Sequence, residues 1–77
     1  MNQSILFNDD LVFDKSKGVW RFSGLLAGQL VTIFIYSVEL SRLSTIDNCT
    51  KYDLEEVTEL WLEKNDPDNN EIHIKLS

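Results

Sequence analysis

Residues 29–36, Gln-Leu-Val-Thr-Ile-Phe-Ile-Tyr, constrain the fold most, because they have the composition of a β-strand and are apolar on both faces. Alternation divides the side chains into two sets, Val31, Ile33 and Ile35 on one face and Leu30, Phe34 and Tyr36 on the other. Such a strand is typical of the centre of a covered sheet, and less often carries one face into a subunit contact. We therefore expect either cover of both faces by helices and loops, or self-association through Leu30, Phe34 and Tyr36.

The residues before this strand predict three further strands. Two short apolar pieces, Ile5–Phe7 and Leu11–Phe13, indicate two short strands or one broken strand. The segment Asp14–Gly18 favours a hairpin turn, and Gly18 suits a positive φ. From Val19 to Ser23 the period-2 pattern predicts a half-buried strand.

The period changes after Tyr36, and two helices are predicted. Ser37 is a good N-cap for a two-turn helix that ends near Ser44. Residues 50–53, Thr-Lys-Tyr-Asp, resemble a capping box for a longer helix that runs to about Lys64. Its apolar stripe is predicted to contain Leu54, Val57 and Trp61.

The last segment, Glu71–Leu76, alternates as a strand with one wet and one buried face. The predicted order is therefore β-β-β-β-α-α-β. This order predicts an α+β fold, a small and mostly antiparallel sheet with both helices packed on one face.

The length of 77 residues predicts one domain, 1–77, and the net charge of −6 argues against nucleic-acid binding. One Cys and one His cannot supply a disulfide or a zinc site, and we expect no metal and no cofactor. No apolar run is long enough to span a membrane. The start, Met1–Ser4, lacks the features of a signal peptide, so we expect a cytoplasmic protein.

Several short motifs together resemble a known family. They are Met1–Ser4, Phe7–Asp9, Phe13–Asp14, the strand around Phe22, Gly28, and Asp53–Glu56. Their order and spacing, over most of the chain, are similar to the short bacterial proteins of the domain of unknown function 1488 family. Phe13 stands where that family usually carries Trp, and the segment before Asp53 is shorter, which predicts a helix trimmed at its N-terminal end. The resemblance implies a small α+β domain and brings no activity, substrate or site.

The residues that could carry chemistry favour structural interpretations. Asp9, Asp10 and Asp14 are explained best by turns. Cys49 is expected to be an inert, partly buried thiol, and His73 a solvated side chain on the outward face of the last strand. No catalytic motif is present, so we expect no catalytic residues and no enzyme.

The charge is divided unevenly along the chain. Residues 45–77 hold three Lys against nine acids, so this part carries all of the net charge. At about 100° per residue, one arc of the long helix carries four glutamates, Glu55, Glu56, Glu59 and Glu63, and Tyr52 falls on or near it. An acidic face suffices for solubility, and the alternative is a docking surface for a protein partner with a basic surface. We therefore expect a non-enzymatic protein-interaction module or a structural homodimer, and which surface acts, the acidic arc or the sheet, stays open.

Overall fold

The computed structural model describes residues 4–76. Met1, Asn2 and Gln3, which belong to the segment expected to hold no signal peptide, lie outside the described residues. The elements follow the predicted order. They are β1 (Ile5–Phe7), β2 (Val12–Asp14), β3 (Val19–Leu26), β4 (Gln29–Tyr36), α1 (Val38–Ser41), α2 (Asn48–Lys64) and β5 (Glu71–Lys75).

The five strands form one sheet in which β4 lies between β3 and β5. The order is β1-β3-β4-β5, and β2 pairs with β3 beyond the end of β1. Every pairing is antiparallel except that of β5 with β4, which is parallel with Ile33 opposite Ile72. The predicted α+β fold with a mostly antiparallel sheet is confirmed.

The core lies between one face of this sheet and the two helices. A parallel pair needs a long crossover, and both helices belong to the crossover from β4 to β5. Leu40 of α1 and Leu54 and Leu62 of α2 pack on this face. The buried strand residues of the core are Ile5, Trp20, Phe22, Leu26, Val31, Ile33, Ile35, Ile72 and Ile74. Both helices therefore lie on one face, as predicted.

The predicted start of α2 is wrong, and its predicted buried stripe is incomplete. Asp47, not Thr50, is the N-cap, because its Oδ1 accepts a hydrogen bond from the Thr50 backbone N–H at 2.8 Å. The buried residues are Leu54, Thr58 and Leu62, while Val57 and Trp61 are only partly buried. Thr58 tolerates burial because its Oγ1 donates to the Leu54 carbonyl at 2.8 Å.

The first helix, α1, is one turn and ends at Ser41 rather than near Ser44. Ser37 is its N-cap, as predicted, and accepts from the Leu40 N–H. The turn is fixed to the sheet by Trp20, whose Nε1 donates to the Leu40 carbonyl at 2.6 Å. This contact links the start of the crossover to β3.

The strand β3 extends past its predicted end to Leu26, and the turn to β4 consists of Ala27 and Gly28, both at positive φ. Gly24 lies inside the strand, where an added Cβ would stand 2.9 Å from the Leu6 carbonyl oxygen of β1. The strand is also more buried than predicted. Ser23 is buried because Asn8 and Asp10 of the β1–β2 loop form hydrogen bonds with it.

The face of the sheet opposite the helices, called the open face below, differs from the expectation for a covered sheet. Neither helix lies on it, so the first expected alternative, cover of both faces of β4 by helices and loops, is wrong for the helices, and the second, self-association, stays a prediction. Phe34 is nevertheless only 6% exposed, whereas Leu30 is 57% exposed and Tyr36 is partly buried. The cover over Phe34 is therefore made by other side chains.

The Trp20 contact predicts a stability difference between two tryptophans. Trp20→Phe removes one of the donors to the Leu40 carbonyl, which keeps the Leu43 N–H at 3.1 Å, and shortens a buried ring, so unfolding should become easier by about 1–2 kcal/mol. The matched control is Trp61→Phe, at a partly buried ring, with an expected loss below about 1 kcal/mol. Urea unfolding followed by circular dichroism measures both. Equal losses would show that ring volume, and not the hydrogen bond, fixes α1.

The Asp47 cap predicts a pH effect. The hydrogen bond from Thr50 N–H holds the pKa of Asp47 below its ordinary value of 3.8. Because the pKa of Asp47 is lower in the folded state, the carboxylate adds stability at pH values above its pKa in the unfolded state. This stability is lost as the pH falls through its pKa in the folded state. Asp47→Ser, which caps without titrating, should keep the urea midpoint at pH 7 and remove part of its fall below about pH 4. Asp47→Ala should lower the midpoint at both pH values, and a Ser variant as weak as Ala at pH 7 would contradict the cap.

Candidate functional site

The acidic arc, defined as Glu55, Glu56, Glu59 and Glu63 with Tyr52, lies on α2 away from its buried stripe. Tyr52 is 61% exposed, and Glu56, Glu59 and Glu63 are also exposed. Glu55 differs, since it is partly buried with a carboxylate oxygen 4.0 Å from the Lys51 Nζ. The arc thus presents one aromatic ring among three exposed carboxylates.

Lys51 fixes this part of α2 to the β1–β2 loop. Its Nζ donates to Asp9 Oδ1 at 2.6 Å, and this hydrogen bond lowers the pKa of Asp9 and raises the pKa of Lys51. The Lys51 Nζ also lies 6.0 Å from the centre of the Tyr52 ring. This cation is thus engaged with Asp9 and Glu55 and lies beside the Tyr52 ring.

The open face carries a polar and aromatic cluster around Phe34. The His73 ring stacks on Phe34 with centroids 4.9 Å apart and planes 13° apart, and the Lys17 Nζ stands 5.6 Å from the Phe34 centroid. Tyr36 Oη and His73 Nδ1 are 2.7 Å apart, and His73 Nε2 lies 3.0 Å from Glu71 Oε1. His73 does lie on the outward face, but it is stacked and hydrogen-bonded rather than simply solvated.

An exposed row of leucines crosses three strands of the open face. In the sheet register Leu6 pairs with Leu25 and Leu25 pairs with Leu30. These side chains are 71%, 40% and 57% exposed, respectively. Of the self-association residues proposed from the sequence, Phe34 is buried, whereas Leu30 belongs to this leucine row. Leu6 and Leu25 were missed, because only the register shows that they adjoin Leu30.

The aspartates near the N-terminus make turn and loop contacts. Asp14 Oδ1 accepts from the backbone N–H groups of Ser16 and Lys17, and hydrogen bonding from Ser16 lowers the pKa of Asp14. Asp10 accepts from the Ser23 N–H at 2.9 Å and from the Ser23 Oγ, which ties the β1–β2 loop to β3. Within residues 4–76, no group of three or more His, Cys, Asp or Glu side chains is arranged to hold a metal ion.

Cys49 lies in the first turn of α2 and is exposed, so its expected partial burial is wrong. The buried residues of α2 begin at Leu54, and Asn48 and Cys49 of its first turn are exposed. Sequence position next to a helix start does not report which way the first turn faces.

Known proteins similar to this chain include one with a solved structure. No family model matches the chain, and no curated protein sequence matches it. The chain is similar to a crystal structure, at 1.60 Å resolution, of a protein of unknown function of the domain of unknown function 1488 family from Shewanella loihica PV-4. The TM-score is 0.68 and the identity 26%, over 96% of this chain and 94% of that one.

The fold defines the protein as a small α+β domain with an open five-stranded sheet. The similarity to this structure confirms the resemblance to the domain of unknown function 1488 family found in the sequence. Over the part of the chain that the structure describes, no helix is long and apolar enough to cross a membrane.

Proposed function

We propose that this protein is a non-enzymatic protein-interaction module whose acidic arc docks on the basic surface of a protein partner. The observation that carries the proposal is the exposed Tyr52 ring among the exposed carboxylates of Glu56, Glu59 and Glu63. A tyrosine among charges supplies apolar contact area and a hydroxyl at small entropic cost. The surrounding charge speeds and orients the encounter more than it adds affinity.

The arc is held on a rigid support. Leu54, Thr58 and Leu62 bury one side of the 17-residue helix α2, and Asp47 caps its start. The contact between Lys51 and Asp9 adds a link to the sheet side of the molecule. A docking surface on such a helix needs little ordering when it binds, which lowers the entropic cost of association.

The absence of catalysis is part of the proposal. Tyr36, His73 and Glu71 form a chain of hydroxyl, imidazole and carboxylate, which has the order of a nucleophile, a base and an orienting acid. The His73 and Glu71 side chains are each about half exposed, however. Water therefore weakens their electrostatic effect, and a desolvated site for a developing charge is lacking around them. This cluster is better explained as cover for Phe34.

The arc is tested by paired charge removal. The experiment immobilises wild type and three variants: Glu56→Gln/Glu59→Gln, Tyr52→Ala and the control Glu39→Gln/Asp68→Asn. Proteins that each one retains from a bacterial lysate are identified. The binding kinetics of each identified protein are then measured with the purified partner. The two double variants remove equal charge from exposed positions on and off the arc. We expect the arc variant to lower the association rate about threefold or more and to flatten its salt dependence. Tyr52→Ala should raise the dissociation rate, and the control should match wild type.

A partner that binds the arc variant and Tyr52→Ala as it binds wild type would contradict the docking role of the arc. Unfolding midpoints of all variants would be measured beside the kinetics. The charge variants should agree with wild type within about 1 kcal/mol, since exposed ion pairs contribute little to stability.

The leucine row favours a second candidate function, a structural homodimer closed through the open face. A contiguous exposed apolar row is typical of an interaction surface, and a two-fold axis would place the same three leucines on both sides of the interface. This candidate leaves α2 on the outside of the dimer, because α2 packs on the other face of the sheet. The two proposals are therefore compatible.

Self-association is tested by Leu30→Ser against Leu60→Ser, since both leucines are more than half exposed but Leu60 lies on α2. Light scattering over a dilution series should give a dimer for wild type and Leu60→Ser. Leu30→Ser should raise the dissociation constant by more than about tenfold, because each of the two copies loses a leucine and a fully buried leucine contributes roughly 1.5–3 kcal/mol. A monomeric mass for wild type at millimolar concentration would reject the homodimer and leave the acidic arc untouched.

A further inference from the structure

A cleft rich in lysine lies where the β2–β3 turn meets the end of β4 and the start of α1. Its volume is about 340 Å³, within the range of small-molecule sites. The lining residues are Lys17, Gly18, Val19, Tyr36, Ser37, Val38, Ser41 and Lys75. They include two ammonium groups and three hydroxyl groups and no carboxylate. We call this site the lysine cleft.

The absence of carboxylates among the lining residues is notable because the whole chain has thirteen acids and seven Lys and Arg residues. Asp14, at the start of the same hairpin turn, is already engaged. Its Oδ1 accepts from Ser16 and Lys17 backbone N–H groups, and its Oδ2 lies 3.5 Å from the Arg21 Nε. Within residues 4–76, no carboxylate lines the lysine cleft; the Lys17 ammonium lies over the Phe34 ring, a contact that leaves its N–H donors able to meet an anion from outside.

Hydrogen bonds of the backbone fix the Cα positions of Lys17 and Lys75. Lys17 sits in a turn closed by the bond from Gly18 N–H to the Asp14 carbonyl at 2.8 Å, with Gly18 at a φ of 68°. Lys75 pairs with Tyr36 in the parallel ladder of β4 and β5. The two cations thus come from separate elements, the hairpin turn and the last strand. An anion between them would meet positive charge from two sides.

The remaining lining adds a donor and an apolar wall. Ser37 Oγ accepts from the Leu40 N–H at 3.2 Å, so its own hydroxyl proton is available to a ligand. Val19 and Val38 provide apolar surface beside the polar groups. A ligand that fits these groups carries an anionic head and a small apolar part.

The charge count selects the class of anion. A phosphate monoester carries a charge of about −1.5 to −2 at neutral pH, which two separate ammonium groups neutralise as point charges. A carboxylate carries one charge, and its planar shape is matched best by the guanidinium fork of Arg, which the lining residues lack. We propose that the lysine cleft binds a small phosphate monoester with an apolar substituent, a function separate from docking at the acidic arc.

The test is a titration of the full chain with phenyl phosphate, inorganic phosphate and benzoate at low salt, followed by backbone amide NMR shifts. We expect saturable shifts that centre on residues 16–19 and 36–41, with phenyl phosphate binding tightest and benzoate weakest. Lys17→Gln/Lys75→Gln should weaken phenyl phosphate about tenfold. The control Lys15→Gln/Lys64→Gln removes the same charge outside the cleft and should change the affinity less than about twofold.

Three outcomes would overturn the proposal. One is the absence of saturable shifts at tens of millimolar phenyl phosphate. Another is equal weakening by both pairs of variants, which would indicate diffuse attraction to the whole surface. The third is binding to vesicles that contain an anionic phospholipid without binding to phenyl phosphate, which would assign the lysines to a membrane surface. Circular dichroism of each variant checks that the fold is kept.

Discussion

The parallel pairing of β5 with β4 determines how the rest of the molecule is arranged. A parallel neighbour cannot be reached by a tight turn, so residues 37–70 must cross over the sheet between the two strands. Both helices lie in this crossover and pack on the same face of the sheet, where Leu40, Leu54 and Leu62 complete the core. The opposite face receives no helix from the described residues, and its properties follow from that.

The open face compensates for the missing helix with side chains at one end only. Phe34 is buried because the His73 ring stacks on it and Lys17 lies over it, while Tyr36 and Glu71 hold His73 by hydrogen bonds. At the other end of the sheet, Leu6, Leu25 and Leu30 have no comparable cover from residues 4–76 and remain exposed. One face therefore combines a covered aromatic cluster and an exposed apolar row, and exposed contiguous apolar side chains are typical of interaction surfaces.

The sequence predicted the elements well because their patterns are local, and it predicted their contacts less well. The β4 strand and its central position follow from side chains that are apolar on both faces. Thr58 was missed as a core residue because its burial depends on a hydrogen bond to Leu54, which polarity alone does not reveal. Tyr36 and His73 are 37 positions apart, and their contact depends on the parallel register of β4 and β5. The lysine cleft likewise requires Lys17 and Lys75 to converge from opposite ends of the chain.

The length of β4 separates the surfaces that the three proposals use. Leu30 lies near its first residue and Tyr36 is its last, and six residues of strand span about 20 Å. The leucine row and the lysine cleft therefore lie at opposite ends of the strand. The acidic arc lies on α2, which packs on the opposite side of the sheet from that row. A dimer closed through the leucines would therefore leave the arc accessible, whereas the lysine cleft lies toward the far end of the same face.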